Sequence, residues 1–203
     1  MPTKFIIISA PRSGSSHLRY LLNSHPNIRC KGELLNRKIK HPQPYLRKEI
    51  WTAKGFDAIG FKILYHQAEK YKLWDYIKDF KIIHLIRHDK LDMLLSEELA
   101  KEHKCFISFN EKDVYTRPVR IDPKELKRKI QYCKEMQEKV DEYNNRINAY
   151  YEDLRTDQIL NFLGVPLAPL TPKTVKLTTK SKEEMILNWD EILNWDEYIS
   201  YGN

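Results

Sequence analysis

Within seven residues, Pro11-Arg12-Ser13-Gly14-Ser15-Ser16-His17, the chain sets one permanent cation, three hydroxyls, an imidazole and a glycine. Arg12 offers a planar fork of donors, and Ser13, Ser15 and Ser16 donate through their hydroxyls. Gly14 lets the backbone come close to a ligand or take a positive φ. If a buried strand leads into this turn and a helix leaves it, the unpaired N–H groups of the first helical turn and the positive dipole end meet at one spot. The chemistry is capture of a phosphate or sulfate group; the plainer reading is a capped turn. The segment is not a Walker A loop, which needs G-x-x-x-x-G-K-[ST]. It has a single glycine and no lysine before its serine pair. No Walker-B aspartate follows a strand, so metal-assisted phosphoryl transfer from ATP is not expected. The socket is expected to hold an anionic ester by direct contacts, with no metal.

Two further positions have matching chemistry. Arg87 directly follows the apolar run Lys81–Ile86, where open α/β sheets collect ligands, and Ser96 stands nine residues on. An arginine and a hydroxyl can grip a second phosphate, although both are common at such places. Lys62 falls inside another apolar stretch, where an ammonium is costly unless it faces an anion. His66, His84 and His103 lack a spacing that suggests a metal site, and Trp51 and Tyr65 can either stack on a sugar or pack in a core.

The elements that must position these residues can be read from the pattern. Lys4–Ala10 (KFIIISA) predicts a short strand buried on both faces, as in a parallel sheet. Leu18, Leu21 and Leu22 then recur at helical spacing over His17–Ser24, with Ser15 or Ser16 as N-cap. Ala58–Leu64 and Lys81–Ile86 predict further strands, and the leucines at 91, 94, 95 and 99 predict a helix after Asp89. A long amphipathic helix is expected from Pro123 to about Asn145, a strand over Ile147–Tyr151, and a helix over Thr156–Leu163 ended by Gly164. Leu167–Lys182 reads as a loop. Leu187-Asn-Trp-Asp-Glu-Ile192 is nearly repeated as Leu193-Asn-Trp-Asp-Glu-Tyr198, which reads as a terminal amphipathic helix rather than a solenoid. Alternating strands and helices predict a three-layer α/β fold with parallel strands, and no linker divides the 203 residues into domains.

Composition bounds the function. With 41% hydrophobic and 11% aromatic residues, a disordered chain is excluded. Three widely spaced cysteines exclude a disulfide framework and fit a reducing compartment. No apolar run approaches the length of a membrane span, and Phe5–Ile8 comes too early to leave room for a signal peptide, so a cytoplasmic protein is expected. The net charge of +7 favours anionic partners. Its basic residues are interleaved with acids and form no nucleic-acid motif, so nucleic acid is not the expected partner.

The two anion-binding segments together, P-R-S-G-S-S-x-L and L-I-R-x-D-K-L-x-x-x-L-S, resemble the sulfotransferases that use 3′-phosphoadenosine 5′-phosphosulfate, PAPS. Leu21–Asn27 with Gly32-Glu33, Gly60-Phe61-Lys62, Tyr151-Glu-Asp-Leu154, Phe162–Pro166 and Asn188–Glu191 are similar to the bacterial carbohydrate branch, whose members sulfate lipo-chitooligosaccharides and trehalose. The resemblance implies a P-loop-type α/β fold in one domain over 1–203. It assigns Arg12, Ser13, Gly14, Ser15, Ser16 and His17 to the 5′-phosphosulfate, and Arg87 and Ser96 to the 3′-phosphate. Tyr151 joins the nucleotide site, Glu33 becomes the base for the acceptor hydroxyl, and Arg12 and Lys62 the cations near the transferring group. It further implies a small-molecule or oligosaccharide acceptor and 3′,5′-ADP as product. A nucleotide-binding or regulatory module that keeps the socket without turnover is the alternative. Arg12 replaces a lysine common in the wider family, and His88 an arginine common in the branch. Only about twenty residues, Glu102–Ile121, serve the acceptor region, which is expected to be shallow or completed by a second copy in a homo-oligomer.

Overall fold

Phe5–Ile8 are all fully buried, and the strand they anchor, β1 (Thr3–Ser9), lies at the centre of a five-stranded sheet. A computed structural model describes residues 1–51, 54–110, 114–171 and 173–195. The remaining strands are β2 (Ile28–Glu33), β3 (Ala58–Leu64), β4 (Lys81–Ile86) and β5 (Arg146–Tyr150), in the order β2-β3-β1-β4-β5. Every pairing is parallel, as the apolar runs predict. From β1 the chain first builds toward β2 and β3, then crosses to β4 and β5. The reversal of direction therefore falls at β1, and ligands of such sheets bind beyond the carboxyl ends at that point.

This sheet belongs to one of two compact units, Met1–Ile86 with Lys139–Lys173. Phe5 and Ile7 of β1, Ile83 and Leu85 of β4, and Cys30 of β2 face α1 (Ser15–Leu22) and α7 (Thr156–Leu163). Alternation turns Phe61 and His84 to the other face. Phe61 meets Phe80 edge-on there, and His84 Nε2 lies 2.6 Å from the Tyr65 hydroxyl. Helices α2 (Pro42–Trp51), α3 (Tyr65–Lys70) and α4 (Trp74–Ile77) complete the unit. Gly60 has a steric reason: a β-carbon built on it would lie 2.4 Å from the Phe5 carbonyl oxygen, so β3 approaches β1 only with glycine there.

The second unit, Arg87–Glu138 with the chain from Thr174, is helical. It contains α5 (Lys90–His103), most of α6 (Pro123–Asp141), α8 (Lys182–Met185) and α9 (Trp189–Leu193). Leu91, Leu95, Leu99, Leu126, Met185 and Ile192 form its core. Asn188 stitches it, accepting from Ile121 N–H and donating to Ile121 C=O, each at 2.9 Å. That role accounts for the asparagine of the Asn-Trp-Asp-Glu segment without a ligand. Glu97 of α5 takes Lys129 of α6 at 2.6 Å; burial pushes its carboxyl pKa up, but Lys129 and Lys101 outweigh this and hold it below the ordinary value.

Several sequence expectations need correction. Strand β2 was not expected: Ile-Arg-Cys-Lys-Gly-Glu alternates buried and accessible residues at a sheet edge, so it has no apolar run to betray it. Ser15 and Ser16 do not cap α1; they are its first two residues, and Gly14 stands at the cap with φ +87° and no side-chain bond. Helix α6 stops at Asp141, four residues early. The repeated segment forms α9 of five residues, not one helix through both copies, and Asp196–Tyr198 lie outside the described residues. Among the described residues no helix is long and apolar enough to cross a membrane.

Candidate functional site

The turn after β1 is tightened at two residues. Arg12 has φ +65° and Gly14 φ +87°, so the chain coils between strand and helix before Leu18 N–H reaches back to Gly14 C=O at 3.0 Å. Ser13 and Ser15 are buried, whereas Arg12, Ser16 and His17 remain half-buried. Burial also lowers the pKa of His17, which favours its neutral form. The Tyr151 ring packs against this coil: a β-carbon built on Gly14 would stand 2.3 Å from its Cδ2. Tyr151 is placed there by its N–H, which donates to Ile86 C=O at 2.8 Å and prolongs the β4–β5 ladder by one residue.

Glu33 and Lys62 meet through a shift of register. Lys31 pairs with Phe61 and Glu33 with Lys62, so Gly32 is an extra residue, a bulge. Without it, alternation from Ile28 and Cys30 would turn residue 32 onto the α1 face. With it, that place goes to Glu33. Lys62, 6% exposed, then holds Glu33 Oε1 at 2.5 Å and donates to Ser16 Oγ at 2.8 Å. Burial lowers the Lys62 pKa, Glu33 counters by raising it, and the charges of Arg19 and Arg12 lower it again. A carboxylate at the end of β2 is thus joined through one ammonium to the first turn of α1.

Two residues that sequence reasoning missed complete the arrangement. Buried Gln67 donates to Glu33 Oε2 at 3.2 Å and to Asn36 Oδ1 at 2.8 Å, while accepting from Leu64 N–H at 3.0 Å. Its signal was available: a glutamine at the third helical position just after a buried strand. Arg19 lies one turn beyond Ser15 and Ser16 on α1 and covers Gly32, whose added β-carbon would be 3.8 Å from Cζ. The i to i+3 and i+4 spacing, with side chains leaning toward the helix start, was its signal. Tyr65, by contrast, is a core residue bound to His84 and is not available to stack on a sugar. The Trp51 side chain lies outside the described residues.

In the second unit, Asp89 caps α5 by accepting from Asp92 N–H at 2.7 Å, and its other oxygen takes the Lys182 ammonium. Arg87, nearly buried, pairs with the Asp92 carboxylate, and Lys90 donates to Arg87 C=O. Ser96 follows one turn after Asp92, half-buried on α5.

Residues 3–73, which contain the coil after β1, the Gly32 bulge and Lys62, match the model of the Sulfotransferase family. Over 94% of this chain and 90% of theirs, the sequence is 23% identical to Nodulation protein H of Rhizobium meliloti. Over 81% and 77% it is 26% identical to Nodulation protein H of Rhizobium tropici. Both kinds of match support a relation of this chain to the sulfotransferase family. A sulfotransferase must hold a sulfuryl donor, neutralise the charge that builds on the leaving group and draw a proton from the acceptor. The coil after β1 has donors suited to the first two demands, and Glu33 has the chemistry for the third.

Proposed function

We propose that this protein is a sulfotransferase that moves the sulfuryl group of PAPS to a hydroxyl of a carbohydrate or glycolipid acceptor, in the cytoplasm and without a metal. The observation that carries the reading is the chain Glu33–Lys62–Ser16, which couples a carboxylate to the anion-binding coil. In this reading Arg12, Ser13, Gly14, Ser15 and Ser16 surround the 5′-phosphosulfate, with His17 beside it and Tyr151 bracing Gly14. Arg87 and Ser96 take the 3′-phosphate. The acceptor oxygen attacks sulfur in line as the bond from sulfur to the bridging phosphate oxygen breaks. The hydroxyl proton passes to Glu33, and 3′,5′-ADP leaves with its added charge held by Arg12 and the amides of the α1 turn.

Lys62 gives this scheme its order. Its ammonium occupies Glu33 Oε1 and donates to Ser16 Oγ at the same time. An anion arriving at Ser16 competes for the ammonium and frees Oε1 to take the hydroxyl proton. Support for the acceptor class comes from the resemblance of Gly32-Glu33, Gly60-Phe61-Lys62 and Phe162–Pro166 to the carbohydrate branch. The test is calorimetry with 3′,5′-ADP against ATP–Mg²⁺, followed by transfer of radiolabelled sulfate from PAPS to a panel of sugars. Metal-independent preference for the bisphosphate and label in a sugar are expected. Equal binding of ATP–Mg²⁺ would remove the donor assignment, and nucleotide binding without label in any sugar would leave a binding module.

A further inference from the structure

Lys62, Arg12 and Arg19 form a cluster of cations in the sheet-bearing unit, with Glu33 on Lys62 as its carboxylate. Glu33 is matched by Lys62, and Arg12 belongs to the coil, which leaves Arg19. Arg19 is half-buried, and its guanidinium lies over Gly32 and stacks 3.9 Å from the Tyr20 ring centroid. Among the described residues no carboxylate pairs with it. It is also near enough to Lys62 for its charge to disfavour the ammonium there. Like charges gathered away from water cost free energy unless an anion joins them. Activation of the adjacent Cys30 does not explain the arrangement, because burial pushes that thiol up to about 12 despite Arg19, Lys62 and Arg29. A thiol so held does not ionise at neutral pH.

We propose that Arg19 forms an anion subsite over Gly32 that receives an acidic group of the acceptor, a carboxylate, phosphate or sulfate carried close to the hydroxyl that Glu33 deprotonates. The inference rests on the sulfotransferase reading above. Position argues for the acceptor rather than the donor. Gly32 directly precedes Glu33 at the end of β2, and Arg19 stands a full turn along α1 from the serines of the coil. The bulge contributes as well, since glycine places no side chain where a β-carbon would stand 3.8 Å from Arg19 Cζ. The enzyme thereby prefers an already acidic acceptor to a neutral one.

Inorganic sulfate is the probe, titrated at constant ionic strength into the PAPS-saturated protein while the Gly32 amide is followed by NMR. In the wild type that resonance shifts saturably. Arg19→Gln weakens the sulfate effect about tenfold or more, the loss expected for charge-assisted contacts, and Arg19→Lys retains part of it. Both variants keep their affinity for PAPS and 3′,5′-ADP. An unchanged sulfate titration in Arg19→Gln overturns the proposal. So does a loss of PAPS affinity with 3′,5′-ADP affinity kept, which would give Arg19 to the donor's sulfuryl group. If the wild type binds neither nucleotide, the donor reading fails instead; the same titration without nucleotide then decides Arg19 by the same two outcomes.

Discussion

Glu33 faces Lys62 only because Gly32 is bulged out of the β2–β3 register. One inserted residue turns a carboxylate from the opposite side of an edge strand onto the face of α1. There the ammonium of Lys62 on β3 bridges it to Ser16. Ser16 and Glu33 are 17 residues apart in the chain, yet a single buried side chain connects them.

Glu33→Gln keeps the shape and a hydrogen bond to Lys62 but cannot accept the proton. Transfer is expected to fall by about a hundredfold or more, the usual range for loss of a general base, with 3′,5′-ADP binding intact by calorimetry. Equal loss of both would make Glu33 a structural residue.

Lys62 ties the site to alkaline stability. Its pKa is lowered in the fold, chiefly by burial, from an ordinary value of 10.5. Between the lowered value and 10.5 the unfolded chain binds more protons than the folded one, so stability rises with pH in that window. Below the window the penalty of the buried charge is present in full. Lys62→Met removes the rise. Urea unfolding of both proteins from neutral to alkaline pH measures it, and parallel curves would contradict the burial argument.

Gly14→Ala meets two obstacles, a positive φ and the Tyr151 ring. Strain of about 1 kcal/mol or more is expected from the backbone alone. Tyr151→Ala in the same chain should relieve the collision and leave the backbone cost. Thermal unfolding therefore places the double variant between Gly14→Ala and the wild type, and calorimetry shows the parallel loss of 3′,5′-ADP affinity. Wild-type stability in Gly14→Ala would show that the coil tolerates a β-carbon.

Arg87→Ala should weaken 3′,5′-ADP about tenfold or more, as loss of a charge-assisted contact does. Ser96→Ala should cost less, since a neutral hydroxyl makes the weaker bond. Calorimetry reads both, and unaltered affinity in Arg87→Ala removes it from the nucleotide site and leaves its Asp92 pair as structural.

The apolar runs of β1, β3 and β4 and the beat of Leu18, Leu21 and Leu22 announce themselves, because burial on both faces or one helical stripe demands them locally. The turn between β1 and α1 at Arg12 to His17 could likewise be read from residue types alone. Strand β2 could not, since an edge strand with one covered face carries half the apolar signal, and Glu33 rides on it. Nor could the cap of α1, where serines were the expected choice and the positive φ of Gly14 prevailed.

Chemical inventory and the apolar strands were therefore local matters: which side chains could bind an oxyanion, and which segments had to be buried. Pairing was not. Glu33 on Lys62, Lys62 on Ser16, Gln67 on Glu33 and Arg19 over Gly32 depend on register between strands and on which face a helix covers. A shift of one residue reverses every side chain of a strand, so only the assembled sheet could decide that the glutamate, and not the glycine before it, meets the lysine.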